Sequence, residues 1–217
     1  MFCKLCLKEW LPAIAANRKT LQVKKGEVIF REGDIVEGMF FVYTGTIKVH
    51  KRWGDKELIV RFAKNGNIVG HRGLGSELVY PVSATAIELS TVCFIDMNFF
   101  KSSLKVNHDF LYELMMFFAE ELKLSERKMR DMAHMPVKGR IANSLLILKE
   151  KFGVTATGYI NLAISRQELA SYAGTTYETL FRMLNELVES GLVQLSDKEI
   201  KVLKEDQLRS IAHEGNA

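Results

Sequence analysis

Glu178 and Arg182 stand four residues apart in the segment SRQELASYAGTTYETLFRMLNELVESG, residues 165–191. On a helix that spacing puts a carboxylate and a guanidinium one turn apart on the same face. A carboxylate can accept from a cytosine amino group, and a guanidinium can donate twice, to guanine O6 and N7. The same spacing also makes an ordinary ion pair on a solvated helix. A second set is Cys3, Cys6 and Cys93. Thiolates spaced CxxC can ligate metal; they can equally be an inert pair or a zinc half-site, and Cys93 can be a small buried apolar residue. The five histidines are scattered. No nucleophile elbow, P-loop, HExxH or carboxylate pair with a plausible pocket occurs, so an enzyme is not expected.

The surrounding pattern says what must hold Glu178 and Arg182. Residues 165–191 read as two helices joined at Gly174, with Thr175 or Thr176 able to cap the second and Gly191 able to end it. At 100° per residue Leu180, Met183, Leu184 and Leu187 share one face. Glu178, Phe181, Arg182 and Asn185 share the other. One packing face and one polar face is the layout of a helix-turn-helix recognition helix. The runs 192–195 and 199–203 around residues 196–198 read as a two-stranded wing. A strand is expected at 159–164 and a helix at 139–152, after Pro136 has stopped the helix before it.

That earlier helix spans 108–134. Leu111, Met115, Phe118, Leu122, Ser125, Met129 and Met132 recur at alternating spacings of four and three, a seam of about three heptads suited to pairing with a second copy. Part of the same helix is expected to lie on the preceding domain. Ser125 is the polar member of the seam, placed to set register or touch a ligand. From Leu21 to Phe100 the chain reads as short strands at 27–30, 39–43, 46–50, 57–62, 67–69, 81–88 and 91–96, after a lead-in over 1–18. Glycines at 26, 33, 45 and 66 mark the turns, a pattern of sandwiches and jelly rolls.

Composition bounds the rest. With 217 residues, 47% of them hydrophobic, the chain can bury one large or two small cores. No apolar run approaches a membrane span, and the start, MFCKLCLKEWLP, lacks a signal-peptide pattern, so a cytoplasmic location without membrane partners is expected. Three cysteines, an odd number, do not suggest structural disulfides in a reducing compartment. The net charge of +4 is unevenly spread. Residues 1–107 carry 16 basic and 10 acidic residues, 108–136 carry 4 and 6, and 137–217 carry 10 and 10. The part that looks like a reader of base edges is neutral as a whole. Within it, 137–182 has 6 basic against 3 acidic residues, enough for a positive side toward phosphates.

The order of parts resembles the CRP/FNR family of bacterial transcription regulators over nearly the whole chain. The resemblance rests most on Gly139-Arg140-Ile141-Ala142, on the helix-turn-helix at 165–182 and on the run KKGEVIFREGD. It implies that Glu178 and Arg182 read a core G·C-containing step of each half-site. Tyr177 replaces the Arg of cyclic-AMP-responsive members, so the outer bases should differ, and Phe181 can touch a thymine methyl. Ser165, Arg166, Thr176 and Thr179, with Thr175 beside them, match positions that hold phosphates and set register.

The sensor half departs from the cyclic-nucleotide pattern. In the cassette at residues 70–84, His71 stands where the family's ribose-binding Glu would be, and Val82 where its phosphate-binding Arg would be. An apolar side chain cannot neutralise a cyclic phosphate. Cyclic AMP is therefore not the expected effector, and Gly70, His71, Arg72, Ser83 and Ser125 are candidates for a pocket of other specificity. The stretches at 66–70 and 90–93 look more like the FNR branch. There an N-terminal cysteine cluster and a cysteine at the position of Cys93 hold a [4Fe–4S] cluster. The resemblance makes Cys3, Cys6 and Cys93 candidate ligands; a cubane normally takes four thiolates and the third N-terminal cysteine is missing, so three suffice only with an outside ligand such as His71 or a carboxylate, or as a labile site.

The expected fold is α+β: an N-terminal cyclic-nucleotide-binding-like β-roll (jelly roll), a long dimerisation helix and a C-terminal winged helix-turn-helix. The expected domains are 1–107, 108–136 including the hinge, and 137–217. The expected function is a homodimeric regulator binding a palindromic site on double-stranded DNA, with RNA polymerase as a further partner and a redox, gas or small-molecule signal. The competing expectation is a small-molecule-binding module with vestigial DNA binding.

Overall fold

The computed structural model describes residues 6–213. Its internal contacts divide the chain into two compact units, Met1–Lys123 and Leu124–Ala217.

The first unit is a double-layered antiparallel roll. Its strands are β1 (Arg18–Val23), β2 (Val28–Phe30), β3 (Gly38–Thr44), β4 (Ile47–Trp53), β5 (Lys56–Ala63), β6 (Ile68–Val69), β7 (Ser83–Ala86) and β8 (Ser90–Asp96). One sheet has the order β1-β8-β3-β6 and the other β2-β7-β4-β5. In β4 Ile47 and Val49 are buried while Lys48 between them is half-buried, the alternation of a strand with one face on a core. Residues Met39 to Val42 of β3 are all buried, as expected of a strand covered on both faces. Fully burying a side chain such as Ile47 or Met39 stabilises the fold by roughly 1.5–3 kcal/mol. The expected turn glycines at 26, 33, 45 and 66 all have positive φ. Gly45 has a second reason: a Cβ there would overlap the Ser90 side chain.

Helices close the roll. The segment read as a plain lead-in forms α1 (Leu11–Asn17), and β1 follows at once. Trp10 Nε1 donates to Ser103 Oγ over 3.0 Å, and its ring stacks on Phe99 at 5.8 Å. The strand expected at 91–96 ends at Asp96, and residues 97–106, for which no helix was expected, form α2 (Met97–Val106). The cause is Asp96, whose Oδ1 accepts from Asn98 N at 2.8 Å and Phe99 N at 3.4 Å. A capping carboxylate satisfies the free donors of a first turn. The long helix α3 (His108–His134) has the predicted bounds. Phe110 and Leu114 on one side are buried in the roll's core.

The second unit contains α4 (Val137–Phe152), α5 (Arg166–Ala173), α6 (Tyr177–Glu189), β9 (Val193–Ser196), β10 (Glu199–Val202) and α7 (Glu205–His213). The helix α7 was not legible in sequence; it buries Leu208 and Ala212. Gly139 of α4 lets it approach closely, since a Cβ there would sit 3.2 Å from Ile211 O. The strand expected at 159–164 is reduced to one bridge, Ile160 with Val154. Ile160 N donates to Ile200 O at 2.9 Å, but Leu162 N turns back to Ile160 O at 2.8 Å, which bends the chain off the sheet.

Candidate nucleic-acid interface and sensor pocket

Local interactions fix the helix pair at 165–191. Ser165 caps α5: its Oγ accepts from Glu168 N at 3.1 Å, and Glu168 Oε2 accepts from Ser165 N at 2.9 Å. That reciprocal capping box sets the start of α5. Gly174 ends it in the left-handed conformation, φ 66° and ψ 48°. Thr176, not Thr175, caps α6; its Oγ1 accepts from Thr179 N at 3.3 Å. Leu180, Leu184 and Leu187 are buried and Met183 half-buried, so the expected packing face is the packing face.

The opposite face is open. Glu178 and Arg182 are exposed, and among the described residues neither takes part in a side-chain ion pair. The ordinary ion pair that their spacing permits is therefore absent, and both heads remain available. Tyr177 and Phe181 flank them with rings stacked at 6.4 Å, exposed by 43% and 55%. Two large apolar rings left in water beside a free carboxylate and a free guanidinium make a surface suited to stacking and donor–acceptor contacts.

Two arginines position this surface. Arg166 donates from Nη2 to Asp197 O at 2.9 Å and Glu199 O at 3.4 Å, and from Nη1 to Lys198 O at 3.3 Å. Its side chain thus ties the start of α5 to the wing turn, where Asp197 has positive φ. Arg140 donates to Ala173 O and Gly174 O, each at 3.1 Å, and to Met135 O at 2.9 Å. It joins the turn between the two helices to the end of α3. Sequence reading quoted Arg140 but gave it no role; a basic residue beside a required glycine was the available signal.

In the first unit two of the candidate pocket residues, His71 and Arg72, belong to an ionic cluster. Gly70 has φ 91°, and the turn His71–Gly73 follows it. His71 is 2% exposed and Val82 6%. Ser83 Oγ accepts from Glu32 N at 2.9 Å. Arg72 Nη2 lies 2.9 Å from Glu121 Oε2, and Arg61 Nη1 lies 2.8 Å from Glu121 Oε1. His71 Nε2 is 3.7 Å from the same carboxylate. Burial alone would raise the Glu121 carboxyl, but the His71 ring and the Arg61 guanidinium facing it hold it well below the usual carboxylate range. Burial lowers the His71 imidazole, so the ring stays neutral at pH 7. Neither Arg61 nor Glu121 was singled out from sequence. Ser125, half-buried, falls in the second unit.

Of the three cysteines, Cys3 lies outside the described residues. Cys6 and Cys93 are both half-buried against the roll's core. Among the described residues no three His, Cys, Asp or Glu side chains are placed to share a metal ion. Three thiols in the whole chain fall one short of a four-thiolate cubane. Three thiolates would leave the fourth iron of a cubane to a non-thiolate ligand.

A roll joined through a long helix to a winged helix-turn-helix defines a class of DNA-binding proteins. The sequence matches the cyclic nucleotide-binding domain over residues 20–107 and the Crp-like helix-turn-helix domain over 139–211. It is 30% identical over 194 residues to the transcriptional activator protein anr of Pseudomonas aeruginosa, covering 88% of this chain and 79% of that protein. It is 29% identical over 208 residues to the anaerobic regulatory protein of Bacillus subtilis, covering 94% and 86%. The solved structure of FixK2 from Bradyrhizobium japonicum shares the fold, with a TM-score of 0.80 at 23% identity, covering 89% of this chain and 96% of that one. The chain belongs to the CRP/FNR family: it is a transcription regulator with a DNA-binding helix-turn-helix and a cyclic-nucleotide-binding-type domain. Among the described residues no helix is long and apolar enough to cross a membrane.

Proposed function

We propose that the chain acts in the cytoplasm as a homodimer that recognises a palindromic DNA site through α6 and responds to a redox, gas or small-molecule signal other than cyclic AMP. The observation that carries the reading is the open pair Glu178 and Arg182 on a helix whose other face is locked by Leu180, Leu184 and Leu187. Glu178 accepts from a cytosine amino group, and Arg182 donates to guanine O6 and N7. Tyr177 and Phe181 contact the outer bases, Phe181 through a thymine methyl. Ser165, Arg166, Thr175, Thr176 and Thr179 set register on the phosphates.

Dimer formation is supported by the seam of α3. Leu111, Met115, Leu122 and Met129 are exposed by 45%, 57%, 60% and 65%, apolar side chains at four of the seven seam positions of α3. Isolated exposed apolar residues are ordinary; a stripe at heptad spacing asks for a partner of the same kind. Two-fold symmetry then places half-sites about one helical turn apart, roughly 34–36 Å. The signal acts by shifting the population of dimers whose recognition helices have that spacing, through the hinge at residues 135–137. RNA polymerase is the partner expected once the dimer is on a promoter.

The test is selection of duplexes from a randomised pool by the purified protein, followed by affinity measurement against salt. A palindrome with a G·C step in each half, and a log–log salt slope of several units, is the expected result. No salt-dependent binding to any duplex would favour a small-molecule-binding module with a vestigial reader.

A further inference from the structure

Three cation-capable side chains from two parts of the roll converge on one carboxylate of α3. Arg61 comes from β5, His71 and Arg72 from the turn after β6, and Glu121 from a helix some fifty residues further on. Arg61 is 91% buried by its 9% exposure, and it also donates from Nη2 to Ile68 O at 3.1 Å. Its guanidinium stands over the Phe117 ring at 5.5 Å, and His71 meets Phe117 and Phe118 edge-on at 4.9 and 5.5 Å. The cluster is thus walled by aromatic side chains of the same helix that supplies the carboxylate.

A buried guanidinium needs a counter-charge, because desolvation without one is very unfavourable. Val82, which stands where the resemblance would put a phosphate-binding arginine, is apolar and buried. Glu121 is within ion-pair reach of all three side chains, Arg61, His71 and Arg72. We propose that Glu121 is a built-in ligand of the sensor roll: its carboxylate, not an added cyclic nucleotide, joins α3 to β5 and to the turn at residues 71–73. A small carboxylate or phosphate anion can take its place only when Glu121 is removed.

The consequence for DNA binding rests on the reading above, so the test carries two separate readouts on the full chain. The first is amide hydrogen exchange over residues 57–75 and 114–123. Glu121→Ala should speed it by roughly a hundredfold, the scale of leaving a buried guanidinium unpaired. Millimolar acetate or inorganic phosphate should slow it again in the variant and leave the wild type unchanged. Acetate acting alone identifies a carboxylate-sized site, and phosphate acting alone a larger one; either supports the proposal. Unchanged exchange in Glu121→Ala, rescue by neither anion, or protection of the wild type by added cyclic AMP overturns it.

The second readout is affinity for the selected duplex, which should fall in Glu121→Ala and recover with the rescuing anion. A wild type that binds no duplex sinks the DNA reading, and the exchange readout still decides the role of Glu121. Should Glu121→Ala not fold, Arg72→Gln replaces it. That variant keeps the Arg61–Glu121 pair and should loosen residues 70–75 alone; a rigid turn there overturns the proposal.

Discussion

The ammonium of Lys128 on α3 lies 4.4 Å from the centroid of the Tyr172 ring on α5. Burial pulls the Lys128 ammonium down to about 8 and pushes the Tyr172 phenol up to about 12. An unfolded lysine titrates near 10.4 and an unfolded tyrosine near 10. Between pH 8 and 10 the unfolded chain therefore holds the Lys128 proton that the folded chain has released. Stability should rise through that window as the cost of the buried charge is relieved. Above pH 10 the folded chain keeps the Tyr172 proton that the unfolded chain loses, so the trend should reverse. Urea unfolding of wild type and Lys128→Met from pH 7 to 10.5 measures this. The variant should lack the rise; identical slopes would show that Lys128 is not the group responsible.

Arg182→Ala should weaken binding to the selected duplex by about 1–3 kcal/mol and relax preference at one base pair in each half-site. Competition against single-base variants of the site reads both effects. Uniform weakening on every sequence would assign Arg182 to a phosphate instead. Unfolding should be unchanged, since the side chain has no ion-pair partner among the described residues.

Arg166→Ala removes three hydrogen bonds to the carbonyls of residues 197–199. We expect a stability loss on the order of 1–2 kcal/mol, the net worth of partly exposed bonds from a charged donor. Faster amide exchange should be confined to the wing, β9 and β10. An unchanged wing would mean that its own hairpin bonds suffice and that Arg166 is free for DNA.

The double substitution Leu122→Glu with Met129→Glu puts two charges on the exposed seam of α3. Sedimentation should show a monomer with unchanged circular dichroism, because neither side chain contributes to the core. Affinity for the palindrome should drop by roughly a hundredfold or more as the second half-site is lost. A variant that still sediments as a dimer would place the interface elsewhere.

Much of this arrangement was legible in the sequence because it is local. The bounds of α3, the packing face of α6 and the turn glycines follow from periodicity and backbone sterics that act within a few residues. The reading failed where a short-range signal was outweighed or overlooked. Residues 97–106 were given no helix, yet the capping carboxylate of Asp96 starts one there. Residues 159–164 have strand-like composition, yet their pairing stops at the bridge of Ile160 with Val154 and one bond to Ile200.

The sequence by itself determined that a helix with Glu178 and Arg182 on its free face would stand inside a winged helix-turn-helix, since residue type and spacing encode amphipathicity directly. Only the tertiary structure decided where Arg61, Arg140, Arg166 and Glu121 spend their charges. Their partners are tens of residues away or are backbone carbonyls, and no period or spacing records such a meeting. Burial supplies the reason that the meetings occur: a guanidinium or carboxylate drawn out of water must find an opposite charge or a carbonyl, and the fold determines which one is in reach.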